Sequence, residues 1–589
     1  MSDTKLKKKL REMLSDDAKL DVLRKYDAIR AYAFDDISAA DAGEMIGFGA
    51  NSFKTLVWKV GKEGFDVIEP GKRGPKARYK AAPYEEEIVK LRKRGLNSEE
   101  ISGIISKSWN ISFSSRTVTR VLKERGFKRL RRRSAADMKR AEILMLGELG
   151  RCRKDGGQDI DGIIKSENAG IFLFVPFIND LELMKVVDEI GLHGTKDIPS
   201  WSYFLSFMAL KLAGVRRLAD AENYRYDDGM ALFADLNKLP SSSALHTYSY
   251  NLRMDTCERL KNAYAKRIKT RIDGSSFNID FHSIPFFGES DDFENNYVPV
   301  RGKAMKSALT FLVQDQESTI FCYSDGDVKG EDKDNKVLEF VSFWEDVTGK
   351  KPEYLIFDSK VMKYEKLLVL DRELNVKFVT LRRRGSRLIE GVKKISDDDW
   401  RRVHLKNVRR KYRNLRVADR KTDLKITDAN GKVIDIMTVR ELVITNNGRD
   451  DPTFMITNDW ELSRKDVIEK YAPRWRIENG ISEEVDFFNL NSLSSTLGMK
   501  NDFDVALTQI ASCLYKLLAK DIWGFEKSKP RTLYEKFIKG SGEIEVSDDT
   551  ILVKLNSRKY TPLLREAEFV EKETLVPWLG NRKLEFVWM

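Results

Sequence analysis

The sequence predicts a multidomain α/β protein in which basic helical units precede a mixed-sheet core. Three observations lead there. Positive charge gathers at the N-terminus: residues 1–150 carry 33 Lys/Arg against 22 Asp/Glu, while the other 439 residues carry 71 against 70. Residues 84–127 and 136–265 space their apolar side chains as helices do. From Ser276 onward, short aromatic and β-branched runs alternate with an amphipathic helix, the order expected of a sheet with at least one crossover. At about 100–200 residues per domain, 589 residues suit three to five domains.

Composition narrows the class. Hydrophobic residues make up 41% and charged residues 33%, as in soluble chains with substantial cores. No run approaches the ~18 uncharged apolar residues of a membrane helix; the best candidate, Trp201 to Gly214, is short and carries Lys211. The basic start has no apolar segment behind it, so no signal peptide is expected. Cys152, Cys257, Cys322 and Cys513 form no CxxC pair, which suits a reducing compartment and argues against structural zinc. A localised basic region fits a polyanion, either nucleic acid or an anionic membrane. A merely solvated surface would carry such charge equally well.

The N-terminal third reads as two helix-turn-helix units, one within residues 1–70 and one, after a basic linker, within 71–135. In the first, Ser38 caps Ala39 to Ile46, Gly47-Phe-Gly makes the turn, and Asn51 caps Phe53 to Val60. In the second, a helix from Glu87 ends at Gly95, Asn97 or Ser98 caps the next, and Ser114 or Ser115 caps a third. Val118, Val121 and Leu122 would face its core. Arg116, Thr117, Thr119, Arg120 and Lys123 would face outward, types that contact phosphates and base edges. The linker Gly71-Lys-Arg-Gly-Pro-Lys-Ala-Arg, with Arg73 and Lys76, could track a groove, and Lys128 to Arg133 adds further cations. A generic small helical bundle is the plainer reading of the same pattern. Residues 136–268 then read as a helical region with helices at Leu181–Ile190, Tyr203–Leu212 and Met254–Lys269.

The core, 269–500, opens with a strand at Ser276–Ile284, followed by strands at Lys306–Val313 and Ser318–Tyr323. A helix at Val337–Val347 and a buried strand at Glu353–Ser359 come next. Residues 385–445 read as a basic, β-rich insertion, with a hairpin turning at Asn430-Gly431. Residues 501–589 read as a C-terminal α/β tail. Asp280 lies inside the first core strand and Asp358 ends the last, and a buried acid is costly unless paired or metal-bound. An Arg partner or a helix cap would satisfy either one. His282 shares a strand face with Asp280, where it could assist a site or simply pack. The segment Tyr471 to Glu478 sets Tyr471, Arg474, Trp475 and Arg476, which suit a nucleic-acid backbone, beside one acid. Its bland reading is a surface helix with a buried Trp475 and an Arg474–Glu478 pair contributing ~0.3–0.5 kcal/mol.

On these residues the chain resembles the bacterial insertion-sequence transposases of the Asp-Asp-Glu type that carry a Tyr-x-x-Arg-x-x-x-Glu signature. Tyr471, Arg474 and Glu478 fit that spacing, Asp280 and Asp358 fall in the two expected strands, and the resemblance spans about residues 180–520. It implies a ribonuclease H-like, retroviral-integrase-like catalytic core with a β-rich insertion. It also implies that Asp280, Asp358 and Glu478 are catalytic and bind two Mg²⁺ ions, with Mn²⁺ as a substitute. Such ions clamp the attacking and leaving oxygens of an in-line displacement. The implied reaction binds transposon ends, hydrolyses a phosphodiester to free a 3′-hydroxyl, and joins that hydroxyl to target DNA. Tyr471 and Arg474 would hold phosphates near the cut, with Trp475 and Arg476 beside them on the DNA. The implied partners are double-stranded DNA and a second copy, as a homodimer in a synaptic complex, at the bacterial nucleoid in the cytoplasm. One departure stands out: the family's lysine seven residues after the Glu is Val485 here, so Lys500, Arg476 or an insertion residue would have to replace it. Glu483, Glu484 and Asp486 are rival acids, although spacing favours Glu478. Two other functions fit the same residues: a sequence-specific DNA-binding protein with an inactive or repurposed core, and a nuclease without strand transfer.

Overall fold

The structure is a computed structural model. It describes residues 17–35, 37–68, 81–93, 96–109, 114–127, 138, 163–195, 198–253, 255–288, 292–406, 413–428, 430–492, 495 and 498–589. The basic linker with Arg73 and Lys76, and the run Lys128 to Arg133, lie outside the described residues. The chain divides into two compact units, one from Met1–Lys93 with Ser112–Lys128 and one from Arg94–Ile111 with Arg129–Met589.

In the first unit, helices Asp17–Phe34, Ala39–Glu44 and Ala50–Glu63 enclose a small core of Ala28, Ile29, Ala42, Phe53, Val60 and Ile68. Ser38 caps the second helix by accepting from Asp41 N. The third begins earlier than the sequence suggested. Gly49, in extended conformation, accepts from Phe53 N at 3.0 Å and takes the cap position, so Asn51 falls inside the first turn. Helix Glu85–Lys93 opens on three glutamates and closes on Lys90, Arg92 and Lys93, as the helix dipole favours. Helix Ser115–Glu124 contacts it and ties Arg125 to Glu85. Ser114 is that helix's cap, accepting from Thr117 N. Val118, Val121 and Leu122 are buried, Arg116, Thr119, Arg120 and Lys123 are exposed, and Thr117 is half-buried.

In the second unit, Asn97 caps helix Ser98–Trp109: its Oδ1 accepts from Glu99 N and Glu100 N, while the Glu100 carboxylate returns to Asn97 N at 2.7 Å. This reciprocal capping box satisfies three otherwise orphaned amides. The helix packs on the body of the unit. Arg225 pairs with Glu99 at 2.5 Å, and Tyr226 lies so close to Gly103 that an added Cβ would meet its ring at 2.8 Å.

Two sheets organise the unit. β1 (Ile163–Ser166) pairs with β12 (Gly542–Val546), starting a five-stranded sheet with β13 (Thr550–Leu555), β15 (Arg582–Trp588) and β14 (Thr574–Val576). The region read as helical thus contributes a strand. Four residues are too short to show a period, and their partner lies far along the chain.

Among the described residues the larger sheet has ten strands. β2 (Ser276–Pro285), β3 (Glu294–Val298), β4 (Lys303–Asp315) and β5 (Phe321–Val328) form antiparallel pairs around β4. β6 (Tyr354–Phe357) and β7 (Lys377–Leu381) run parallel to β2. β8 (Trp400–His404), β9 (Asn414–Thr427), β10 (Val433–Thr445) and β11 (Thr453–Thr457) continue the same sheet beyond β7. The β-rich segment therefore widens the central sheet, and its β9–β10 hairpin turns with Gly431 at φ +78°, open to glycine and costly for most residues. Helix Gly498–Asp521 is buried along nearly its whole length, with Tyr515 in its C-terminal third packed against Phe174, Phe487 and Phe488. Among the described residues no helix is long and apolar enough to cross a membrane.

Candidate active site

The parallel strands place the two aspartates. β2 and β6 are in register at Ile279 and Phe357. The next residue on each is Asp280, inside β2, and Asp358, just past the end of β6, so the two acids follow the last paired position of adjacent parallel strands. Strand alternation gives them the same face. Phe277 and Ile279 on β2, and Leu355 and Phe357 on β6, join the main core; Ile284, Tyr354 and Ile356 join clusters on the other side. Asp280 and Asp358 belong to that second side. Carboxyl ends of adjacent parallel strands are a recurrent place for ligands in open α/β sheets.

Glu478 comes from the helix Trp475–Asp486, which packs on β2 with Ile477 and Ile481 facing Ile284, Leu312 and Phe321. Gly480 allows the approach, since a Cβ there would lie 2.6 Å from Gln314 Nε2 and 2.9 Å from the Phe321 ring. Gln316 locks the helix entrance: its Nε2 donates to Lys470 O at 2.9 Å and to Asn278 Oδ1 at 3.2 Å, while its carbonyl accepts from Arg476 Nη1. Arg476, expected on DNA, thus spends one guanidinium nitrogen on the sheet.

Arg474 joins the acids. Its Nη1 stands 3.6 Å from Asp280 Oδ2, and its Nη2 bonds Glu478. Tyr471 lies beneath, 5.8 Å from the guanidinium, and its buried hydroxyl has no well-aligned hydrogen-bond partner among the described residues. Burial pushes the Asp280 carboxyl up to about 6, against the pull of Arg474 and the Phe281 amide, with Glu478 and Asp358 adding to the rise. Trp475, read as buried in the bland interpretation of the segment, is 57% exposed next to Arg474. The structure therefore groups Asp280, Asp358, Glu478, Tyr471, Arg474 and Trp475.

The acids as placed do not form a ligand cage: among the described residues no group of three or more His, Cys, Asp or Glu stands close enough to hold an ion. Arg474 takes the place of a cation between Asp280 and Glu478. Carboxylate oxygens are the hard ligands that Mg²⁺ and Mn²⁺ prefer, and here a guanidinium stands between two of these carboxylates.

The remaining candidates sort by burial. Glu483 pairs with Lys516 at 2.7 Å. Glu484 is fully buried, with neither carboxylate oxygen hydrogen-bonded among the described residues, and burial pushes it up to about 8. Six residues beyond Glu478, it points to a different side of the helix. Val485 packs into the cluster with Ile477 and Ile481, so a lysine at that position would face the interior. Lys500 is buried, its ammonium 3.4 Å from the Tyr250 ring centre and donating to His246 O, which removes it as a phosphate contact. His282 Nε2 lies 2.7 Å from Asn491 Oδ1, an arrangement that makes it a donor, and burial lowers its pKa. It is therefore a packed, neutral histidine.

The chain is a mixed α/β protein, with Asp280 inside one strand of the larger sheet and Asp358 just past the end of its parallel neighbour. No protein-family model matches the chain, and no curated protein does. Among solved structures the chain is similar to a piggyBac transposase synaptic complex with hairpin DNA, at a TM-score of 0.31 and 11% identity, over 63% of this chain and 80% of that one. A likeness that slight fixes neither family nor function.

Proposed function

We propose that this chain is a metal-dependent DNA transposase of the Asp-Asp-Glu type, in which Asp280, Asp358 and Glu478 hold two divalent ions. The observation that carries the reading is that Asp280 and Asp358 each follow the last paired residues, Ile279 and Phe357, of adjacent parallel strands, with Glu478 linked to Asp280 through Arg474. Three carboxyl groups share one guanidinium at a partly buried place, an arrangement that added cations would relieve. Ions bound there would polarise the scissile phosphate and favour ionisation of the attacking water or hydroxyl.

The chain's own groups do the positioning. Arg474, once its acids face cations, is free to turn to a phosphate oxygen, for which its fork geometry is suited. The Tyr471 hydroxyl is a second donor beside it. Trp475 offers an exposed aromatic face to a base. The N-terminal helices, with Arg116, Thr117, Arg120 and Lys123, carry duplex binding, extended by Arg73 and Lys76 of the linker. Hydrolysis at a transposon end breaks one P–O bond and frees a 3′-hydroxyl. That hydroxyl then attacks a target phosphodiester, one P–O bond forming as another breaks, within a homodimer that pairs two ends.

One observation favours a second reading, a DNA-binding protein with an inert core: Arg474 already neutralises Asp280 and Glu478. Plasmid carrying the DNA that flanks the gene, incubated with the full chain in Mg²⁺, separates the two. Cleavage that Asp280→Ala abolishes while DNA binding persists supports the transposase. Tight binding without cleavage in Mg²⁺ or Mn²⁺ supports the inert core. Joining of pre-cut ends to a second plasmid separates a transposase from a simple nuclease.

A further inference from the structure

Helix Asp17–Phe34 of the N-terminal unit turns one side to its core and the other to solvent. Ala28 and Ile29 enter the core, Val22 and Tyr32 pack beside them, and Tyr32 meets Phe53 edge-on at 5.4 Å. The opposite side carries Leu23, Asp27, Arg30 and Phe34, all exposed. Successive steps of four, three and four residues keep them within roughly 60° of one line along the helix. That is the spacing of a seam between two packed helices. Leu23 is 51% and Phe34 83% exposed, and large apolar side chains held in water on one line mark a contact surface. Tyr26 and Phe65 flank the seam with ring centres 5.1 Å apart, each about half exposed.

The order Leu23, Asp27, Arg30, Phe34 is its own complement when reversed. Two copies of the helix run antiparallel set Leu23 against Phe34 and Asp27 against Arg30. The twofold axis then repeats both contacts, as an isologous interface requires. Run parallel, they would set Asp27 on Asp27 and Arg30 on Arg30. Lys25 and Asp21 pair within this helix, whereas Asp27 and Arg30 make no ion pair among the described residues. An apolar partner would strip water from both ions and offer nothing to pair them. The charge pattern therefore selects a second copy of the same helix as the occupant.

We propose that the stripe from Leu23 to Phe34 is an antiparallel contact with the same stripe of a second copy of this chain. Two reciprocal Asp27–Arg30 ion pairs form its centre, Leu23 on Phe34 closes each end, and Tyr26 with Phe65 makes an apolar shoulder. The seam is only about 17 Å long, so it predicts a dimer that exchanges at micromolar concentration rather than a permanent one. It gives a surface to the homodimer proposed above. It needs neither metal nor DNA, so it stands or falls apart from the catalytic reading.

The test is sedimentation velocity of the full chain, without DNA or Mg²⁺, from about 1 to about 100 µM. Wild type should pass from monomer to dimer over that range. Asp27→Arg and Arg30→Asp, each alone, set like charges across both pairs and should weaken dimerisation at least roughly 10-fold. An equimolar mixture of the two variants sets opposite charges across both pairs again. It should recover a heterodimer as tight as wild type, which a pair formed within one chain would not produce. Both positions are exposed, so far-UV circular dichroism and melting temperature should match wild type. A wild type that stays monomeric throughout, dissociation constants unchanged in both variants, or a mixture no tighter than its components overturns the proposal. A chain that dimerises as described but cleaves no DNA fails the transposase reading and leaves this contact standing.

Discussion

The Arg474 guanidinium stands 3.6 Å from Asp280 Oδ2, so the cation from the signature helix is held by the acid on the central strand. The same guanidinium bonds Glu478. One side chain thus connects two of the three acids proposed to be catalytic. It also sets the electrostatic state of the site before any ion or DNA arrives.

Removing Arg474 should expose that role. Arg474→Ala leaves Asp280 buried without its compensating charge, so in EDTA the melting temperature should fall by the equivalent of about 1–3 kcal/mol. Mg²⁺ should recover more of the loss in the variant than it adds to wild type, because the ion replaces the guanidinium. Differential scanning fluorimetry with and without Mg²⁺ reads the difference; equal Mg²⁺ shifts in both proteins would show that Arg474 and the ion do not share the site.

Gly480 should be intolerant of a side chain. A methyl group there meets Gln314 and Phe321 at under 3 Å, so Gly480→Ala must lift the helix off the sheet and move Glu478 with it. A stability loss of roughly 1–3 kcal/mol follows from overpacking. Cleavage should fall further than the unfolded fraction explains, which urea titration beside a cleavage assay measures.

Glu484 should give the fold a pH dependence. Its folded pKa, pushed up to about 8 by burial, lies above the ~4.3 of an unfolded glutamate. The folded state therefore keeps the proton longer. The stabilising effect is fully present below pH ~4 and is lost as pH rises towards 8. Glu484→Gln keeps the shape without the titration. It should gain on wild type by on the order of a few kcal/mol between pH 5 and pH 8. Parallel denaturation curves for the two proteins at all pH values would contradict this.

Arg116 and Lys123 should carry part of the duplex affinity. Replacing both with Gln should lower the salt slope of binding by about 0.9 for each phosphate that the pair neutralises, with cleavage of saturating DNA little changed. Fluorescence anisotropy over a salt series reads it. An unaltered slope would remove the helix Ser115–Glu124 from the interface.

Much of the core was legible because short apolar strands with one acid are an uncommon pattern. The strand at Asp280, the strand ending before Asp358 and the helix at Val337–Val347 all appear close to where periodicity put them. The capping residues Ser38, Asn97 and Ser114 were readable because side-chain acceptors at helix starts act locally. What the sequence did not reveal depends on distant partners. β1 exists because β12 is there to pair with it, and the insertion strands extend the central sheet because β11 pairs with β7. Lys500 looked available until the Tyr250 ring covered it.

The most direct measurement is cleavage by the purified full chain of a plasmid bearing the DNA that flanks the gene, in Mg²⁺, for wild type and for Asp280→Ala, Asp358→Ala and Glu478→Ala. Each variant should bind that DNA as wild type does and lose at least roughly 100-fold in cleavage, as expected when a ligand of a catalytic ion is removed. Cleavage undiminished in any one of the three would contradict the assignment of that residue. Undiminished cleavage in all three would contradict the Asp-Asp-Glu site itself.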